Sequence, residues 1–135
     1  MDRVHVIELA RRWFSLLNNH APVDEVVALL NPDGVEMIFP EATLNGEAQF
    51  RSWYQAVTHK FFDQEHNIRQ IDVTPGEGTV EVFVIVNWKA RTWEAPAAFS
   101  SRIDCDAYQN WRVRELGDGR LVISRYEVAG MTQNG

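Results

Sequence analysis

The chain has 135 residues, 45% of them hydrophobic and 24% charged, with a net charge of −6. That length suits one domain, residues 1–135, with room for a proper core. No run of Lys or Arg is present, so the composition excludes nucleic acid as a partner and argues against an anionic membrane surface.

The predicted elements follow in chain order. The opening MDRVHVIELARRW has no uninterrupted apolar run and carries charge early, so it reads as neither a signal peptide nor a membrane span. It reads instead as a helix from a cap at Asp2 to about Asn19. Val6, Leu9, Ala10, Trp13, Phe14 and Leu17 form its apolar stripe, with Arg3, Glu8, Arg11 and Ser15 opposite. Pro22 suits the first turn of a short second helix, which stops at Asn31-Pro32-Asp33-Gly34. Val35–Phe39 reads as a short strand, and Leu44-Asn45-Gly46 as a turn into a third helix, Glu47–Phe62.

His66–Val73 reads as a strand, ended by the turn Pro75-Gly76-Glu77-Gly78. Thr79–Trp93 has neither Gly nor Pro and reads as a strand two to three times the usual ~5–6 residues. Val80, Val82, Val84, Val86 and Trp88 lie on one face of it, and Glu81, Phe83, Ile85, Asn87 and Lys89 on the other. Phe99–Glu115 is a third long strand, Gly117-Asp118-Gly119 a hairpin turn, and Leu121–Val128 the closing strand, leaving 130–135 as a mobile tail. A long strand with one apolar face needs cover, and the amphipathic helices are the candidates. The expected fold is α+β: a curved antiparallel sheet with three N-terminal helices on its concave face, enclosing a conical pocket.

Several pieces in this order resemble the SnoaL-like branch of the nuclear transport factor 2-like superfamily, the cystatin-like α+β cone. They are Trp13-Phe14 and the strand-then-Gly step Val35 to Gly46 feeding Phe50 and Trp53. His66-Asn67-Ile68 opens the second strand. The ending is Asn110-Trp111-Arg112-Val113, Asp118-Gly119-Arg120-Leu121 and Arg125-Tyr126-Glu127-Val128. The resemblance spans about residues 4 to 129 and implies a conical pocket and a homodimer formed through the outer sheet face. Phe83 and Ile85, apolar on that face, fit such a dimer. The superfamily includes isomerases, dehydratases, polyketide cyclases, epoxide hydrolases and members without catalysis, so the resemblance fixes fold more narrowly than function.

The chemistry-bearing residues are few. His5, His20, His59 and His66 show no metal-ligand spacing, and HExxH, CxxC, Gly-Xaa-Ser-Xaa-Gly and phosphate-loop patterns are absent. No metal and no cofactor is expected. Cys105 has no disulfide partner within the chain, which fits a cytoplasmic setting. Asp104 and Asp106 flank it and should raise its pKa. They share a strand face with Arg102, Tyr108, Asn110 and Arg112, expected to point outward as a row of ion pairs.

His66 is the candidate catalytic residue. The resemblance implies an acid–base histidine at that strand position, and an ordinary pKa near ~6.5 would suit the role. The plainer alternative is a structural histidine bonded to Tyr54 or a backbone carbonyl. The base of the ketosteroid isomerases would fall at Phe39, so it is missing. The second acid–base position falls in Asn87-Trp88-Lys89-Ala90, which offers no carboxylate. The expected pocket walls are Trp13, Leu17, Phe39, Trp53, Tyr54, Val57 and Trp88, with Gln109 and Arg125 as hydrogen-bonding groups on inward strand positions. A small, mostly apolar, possibly polycyclic molecule is the expected ligand, either transformed by proton transfer or simply held. A bulge near Arg69-Gln70 should keep His66, Ile68, Ile71 and Val73 on one face.

Overall fold

The computed structural model covers Met1–Gly135 and comprises three helices and one six-stranded sheet. The helices are α1 (Arg3–Asn18), α2 (Val23–Val27) and α3 (Glu47–Lys60). The strands are β1 (Glu36–Ile38), β2 (Thr43–Asn45), β3 (Phe61–Pro75), β4 (Thr79–Thr92), β5 (Ser101–Glu115) and β6 (Leu121–Gln133). Strand order across the sheet is β2-β1-β6-β5-β4-β3. The sheet is curved and unclosed.

The sheet is mixed, which corrects the all-antiparallel expectation. Four pairings are antiparallel, but β1 runs parallel to β6, with Met37 opposite Tyr126. The cause lies in α2. The chain leaves α2 alongside β6, held by the Leu30–Ile123 bridge, and enters β1 in the direction of β6. Backbone bonds from Asn31 N to Ile123 O and from Ile123 N to Leu29 O, both 2.8 Å, fix that docking. β2, expected as a turn, pairs with β1 as a three-residue edge strand.

The topology forces α3 across the concave face. It leaves β2 at one edge and delivers the chain to β3 at the other, five strand spacings or ~24 Å away. Fourteen helical residues rise ~21 Å, close to that span. Gly46, at φ 87°, starts α3 from a left-handed conformation that favours glycine. The helix ends at Lys60, two residues before the expected boundary. Phe61 is captured by the sheet, pairing with Thr92 and packing edge-on against Trp88 at 5.1 Å between ring centroids. α1 carries no side-chain cap at Asp2.

Alternation on the central strands puts Val80, Val82, Val84 and Val86 of β4, and Ala107, Trp111 and Val113 of β5, into the core beneath the helices. Asp104 and Asp106 fall on the other face, as expected. β3 has two register shifts against β4, one between Phe62 and Glu65 and one between Ile68 and Gln70, where the sequence pattern required it. Two further shifts lie between β5 and β6 and strengthen the bend of the sheet. β6 then continues to Gln133, beyond the expected end at Val128. Residues expected as a mobile tail are paired: Gly130 lies opposite Tyr108, and Gln133 opposite Cys105.

Candidate functional site

Where α1, α3 and the inner face of the sheet diverge, they leave a cavity of about 460 Å³. Its wall is mostly apolar. Eight of the ten residues singled out from the sequence meet there: His66, Leu17, Phe39, Trp53, Tyr54, Val57, Trp88 and Gln109. Phe39 and Trp53 stack at 4.1 Å between centroids, joining the β1 end to α3. The polar tips of the aromatic rings are spent on the scaffold. Tyr54 Oη donates to Ala21 O at 2.6 Å, Trp53 Nε1 to Glu41 at 3.2 Å, and Trp88 Nε1 to Gln64 at 3.0 Å. Gln64 in turn donates to His20 Nε2 at 2.8 Å. Their faces, not their heteroatoms, are what the cavity offers.

Two expected wall residues lie elsewhere. Trp13 is 1% exposed and packs in the core behind the cavity, against Phe50, Trp111 and Tyr126. Its position on α1 is one turn before Leu17, which puts it deeper than the cavity floor. Its N–H makes no hydrogen bond of normal geometry. Arg125 faces outward. The register shift after Arg112 inserts an extra residue between Ile123 and Arg125, so Tyr126 turns inward in place of Arg125. Arg125 pairs instead with Glu36 at 3.2 Å and Glu127 at 3.7 Å.

His66 sits where β3 passes the C-terminal end of α1. Nδ1–H donates to Asn18 Oδ1 at 2.6 Å, and the ring stacks on Phe14 at 5.2 Å between centroids. The other ring nitrogen, Nε2, has no protein partner, and the ring borders the cavity. Burial pushes its pKa from 6.5 down to about 3. No carboxylate touches the ring to reverse that shift. His66 is therefore neutral over the physiological range, with Nε2 as an unprotonated acceptor. Its partner is neither Tyr54 nor a backbone carbonyl.

A donor stands on the same cavity wall. Burial pushes the Tyr126 phenol far above its ordinary range, against a smaller opposing pull from Trp13 and Gln109. Gln109 is 4% exposed, and its Oε1 accepts from Trp111 Nε1 at 2.9 Å, which leaves its amide N–H groups for other acceptors. The wall thus carries a neutral imidazole acceptor, a neutral phenol and an oriented amide in an apolar setting. At the exposed mouth stand one cation, Lys60, and one carboxylate, Glu41.

A model of the SnoaL-like domain matches residues 10–126, most of the chain. The chain belongs to the SnoaL-like family. Solved structures agree in fold. A cystatin-like-fold protein from Nostoc punctiforme superposes with a TM-score of 0.75 at 15% identity, covering 94% of this chain and 89% of its own. A scytalone dehydratase-like protein from Novosphingobium aromaticivorans gives 0.75 at 18%, covering 97% and 86%. A ketosteroid isomerase-like protein from Erwinia carotovora atroseptica gives 0.75 at 13%, covering 98% and 95%. At these identities the likeness concerns the fold alone. Comparison with curated proteins gives no match.

Within this SnoaL-like cone, sequence reasoning missed Asn18, Gln64 and Tyr126. Asn18 fell at the end of the expected first helix, and no local signal links it to a strand 48 residues away. Gln64 lies in the first part of β3, between the expected helix end at Phe62 and the expected strand start at His66. Tyr126 was hidden by the bulge. The outer face holds a polar knot of its own. Asn87, 3% exposed, donates to Asp104 at 2.8 Å and reaches Asp106 at 3.3 Å, and Asn134 donates to both at 3.1 Å. These bonds hold both carboxyl pKa values low. Burial first, then the two aspartates, raises that of Cys105.

Proposed function

We propose that this SnoaL-like protein takes a small, mostly apolar, ring-bearing molecule into the cone, with proton transfer at His66 Nε2 as the chemistry of the site. The observation that carries the reading is an unprotonated imidazole nitrogen without a protein partner at the edge of an apolar cavity of about 460 Å³. The Tyr126 hydroxyl, kept neutral by burial, would donate to a ligand oxygen while Nε2 accepts a proton from an adjacent O–H or acidic C–H. That arrangement suits the dehydratase and isomerase chemistries for which two similar solved structures are named.

A second reading, a binding module without turnover, is favoured by one observation. Asn18 orients His66 through a neutral amide, so nothing stabilises the imidazolium that proton transfer would create. The two readings share the anchor and differ in turnover.

The test uses His66→Phe, which keeps a ring against Phe14 and deletes the acceptor. Naphthol and flat hydroxylated ring compounds are titrated against the fluorescence of Trp53 and Trp88. The variant should bind about 5- to 150-fold more weakly, the worth of one hydrogen bond at ~1–3 kcal/mol. Equal affinity in the two proteins, or no binding at millimolar concentration, removes the anchor. Deuterium uptake at the α-carbon of bound ring ketones, lost in His66→Phe, separates enzyme from binding module.

We also propose a homodimer through the outer sheet face, where Phe83 and Ile85 remain half-exposed. Sedimentation equilibrium giving only a 15.5 kDa species at micromolar concentration counts against it. No helix is long and apolar enough to cross a membrane, and the unpaired Cys105 fits a cytoplasmic setting.

A further inference from the structure

Three nitrogen donors surround one hydroxyl where β5 and β6 meet the cone. Trp13, Gln109, Trp111 and Tyr126 are all buried. The Trp111 indole stacks on the Tyr126 ring at 5.1 Å between centroids, and Trp13 lies tilted against that ring at 5.4 Å. An indole N–H can only donate, so the 2.9 Å contact from Trp111 Nε1 decides which end of the Gln109 amide is the oxygen. Oε1 faces Trp111, and Nε2 with its two hydrogens faces away from it.

The Tyr126 hydroxyl is constrained by the same logic. Trp13 and Gln109 both act on its oxygen as donors, pulling against the upward push of burial. Neither can take the phenolic hydrogen, since one is an indole N–H and the other presents the nitrogen end of its amide. No protein group accepts a hydrogen bond from Tyr126 Oη or from Gln109 Nε2. Trp13 Nε1 is the one buried side-chain polar atom that is both sealed in and without a partner. The Tyr126 hydroxyl and the Gln109 amide nitrogen are unpartnered without being sealed, and the space that both residues line is the cone.

We propose that Trp111, acting through Gln109, is a positioning residue that makes this part of the cone a donor-only site, so that the cone selects a ring-bearing carbonyl compound over the matching alcohol. The inference rests on the reading that the cone takes a ring-bearing molecule, and it names the group that molecule presents to β5 and β6. A carbonyl oxygen has two lone pairs and no hydrogen, so it can accept from Tyr126 Oη and Gln109 Nε2 together. A hydroxyl in the same place would bring a hydrogen that no acceptor meets. Buried polar groups left unpaired in this way discriminate more strongly than an apolar wall does between similar shapes.

The test titrates 1-tetralone, 1-tetralol and tetralin, which share one ring system and differ in the oxygen, into the native protein and three variants. The ketone should bind about fivefold or more tightly than the alcohol in the native protein, the worth of one buried hydrogen bond. The carbonyl carbon-13 signal of labelled tetralone should move downfield on binding, and by less in Tyr126→Phe and Gln109→Leu. Trp111→Phe keeps a ring against Tyr126 and deletes the N–H, which frees the Gln109 amide to turn its oxygen toward the cone. The ketone-to-alcohol ratio should then fall toward one, whereas a merely structural loss would weaken ketone, alcohol and tetralin alike. Gln109→Leu removes the amide at near-constant volume and should lower the same ratio, which reads the proposal whether or not Trp111→Phe folds. Equal affinity for ketone and alcohol in the native protein overturns this inference and leaves the cone as a binding site. A ketone preference that survives unchanged in Gln109→Leu also overturns it. No binding by any of the three at millimolar concentration removes the cone reading and this inference with it.

Discussion

Replacing Asn18 by Asp changes one atom type at the His66 contact and should change the behaviour of the imidazole. In the native protein Nδ1–H meets a neutral amide oxygen at 2.6 Å. A carboxylate there puts a full negative charge ~4 Å from the ring centre. At an effective dielectric of ~20 the imidazolium gains ~4 kcal/mol. Divided by 1.36 kcal/mol per unit, that is ~3 pKa units. His66 should move from about 3 to ~6. The shift has a signature in stability. The native His66 pKa lies below the unfolded value of 6.5, so the unfolded chain binds more protons between pH 3 and 6.5. The stability tied to the neutral ring is whole above pH 6.5 and falls as pH drops through that window, by up to ~1.4 kcal/mol per pH unit. In Asn18→Asp the folded and unfolded values nearly coincide, and His66 contributes almost no slope. Proton NMR of the histidine Cε1–H signals from pH 3 to 8, with His66→Gln for assignment, reads the pKa. Urea midpoints at pH 7 and pH 5 read the linkage. A native His66 titrating near 6.5, or the same pKa in both proteins, refutes the account of burial and partner given above.

Three further outcomes are expected. Val84→Ala, at a fully buried β4 position, should cost ~2–3 kcal/mol with an unchanged urea m-value, since two methyl groups are lost and a cavity is left without a change in exposed surface. Asn87→Ala should destabilise by ~1–3 kcal/mol at pH 7 and by less at pH 3. The low pKa values of Asp104 and Asp106 contribute stability above the unfolded carboxylate range that is lost as pH falls, and Asn87 is part of their cause. Chemical denaturation at the two pH values measures it, and an equal loss at both would count against the bridging role. Arg125→Ala should change stability by less than ~0.5 kcal/mol and leave ring-ligand affinity untouched, because its ion pairs with Glu36 and Glu127 are largely solvated. A tenfold loss of affinity would return Arg125 to the cavity.

What could be read from the chain was whatever a period of two or 3.6 encodes. The valines of β4 and the row Ala107, Gln109, Trp111, Val113 have one parity, so their inward face followed from alternation. The bulge between Ile68 and Gln70 was legible because His66, Ile68, Ile71 and Val73 can share a face in no other way. The errors fall where a neighbour overrides the local pattern. The bulge after Ile123 has no such conflict to betray it, since Arg125 and Tyr126 are both plausible inward residues. Only pairing with β5 decides which one turns in. The parallel β1–β6 pair depends on how α2 docks, and Leu30 alone does not announce Ile123 as its partner.

The same distinction separates the cone's walls from its chemistry. Rings are visible by residue type, and most of those expected do line the cavity. What an imidazole can do depends on what lies beside it, and for His66 that is Asn18, brought in by the angle between α1 and the sheet. Composition places a histidine with an ordinary pKa at that strand position, whereas packing makes it a neutral acceptor with its pKa about 3. The acid–base character of the site is therefore a property of the α1–β3 contact as much as of His66, and substitutions at Asn18 test it more directly than removal of the histidine itself.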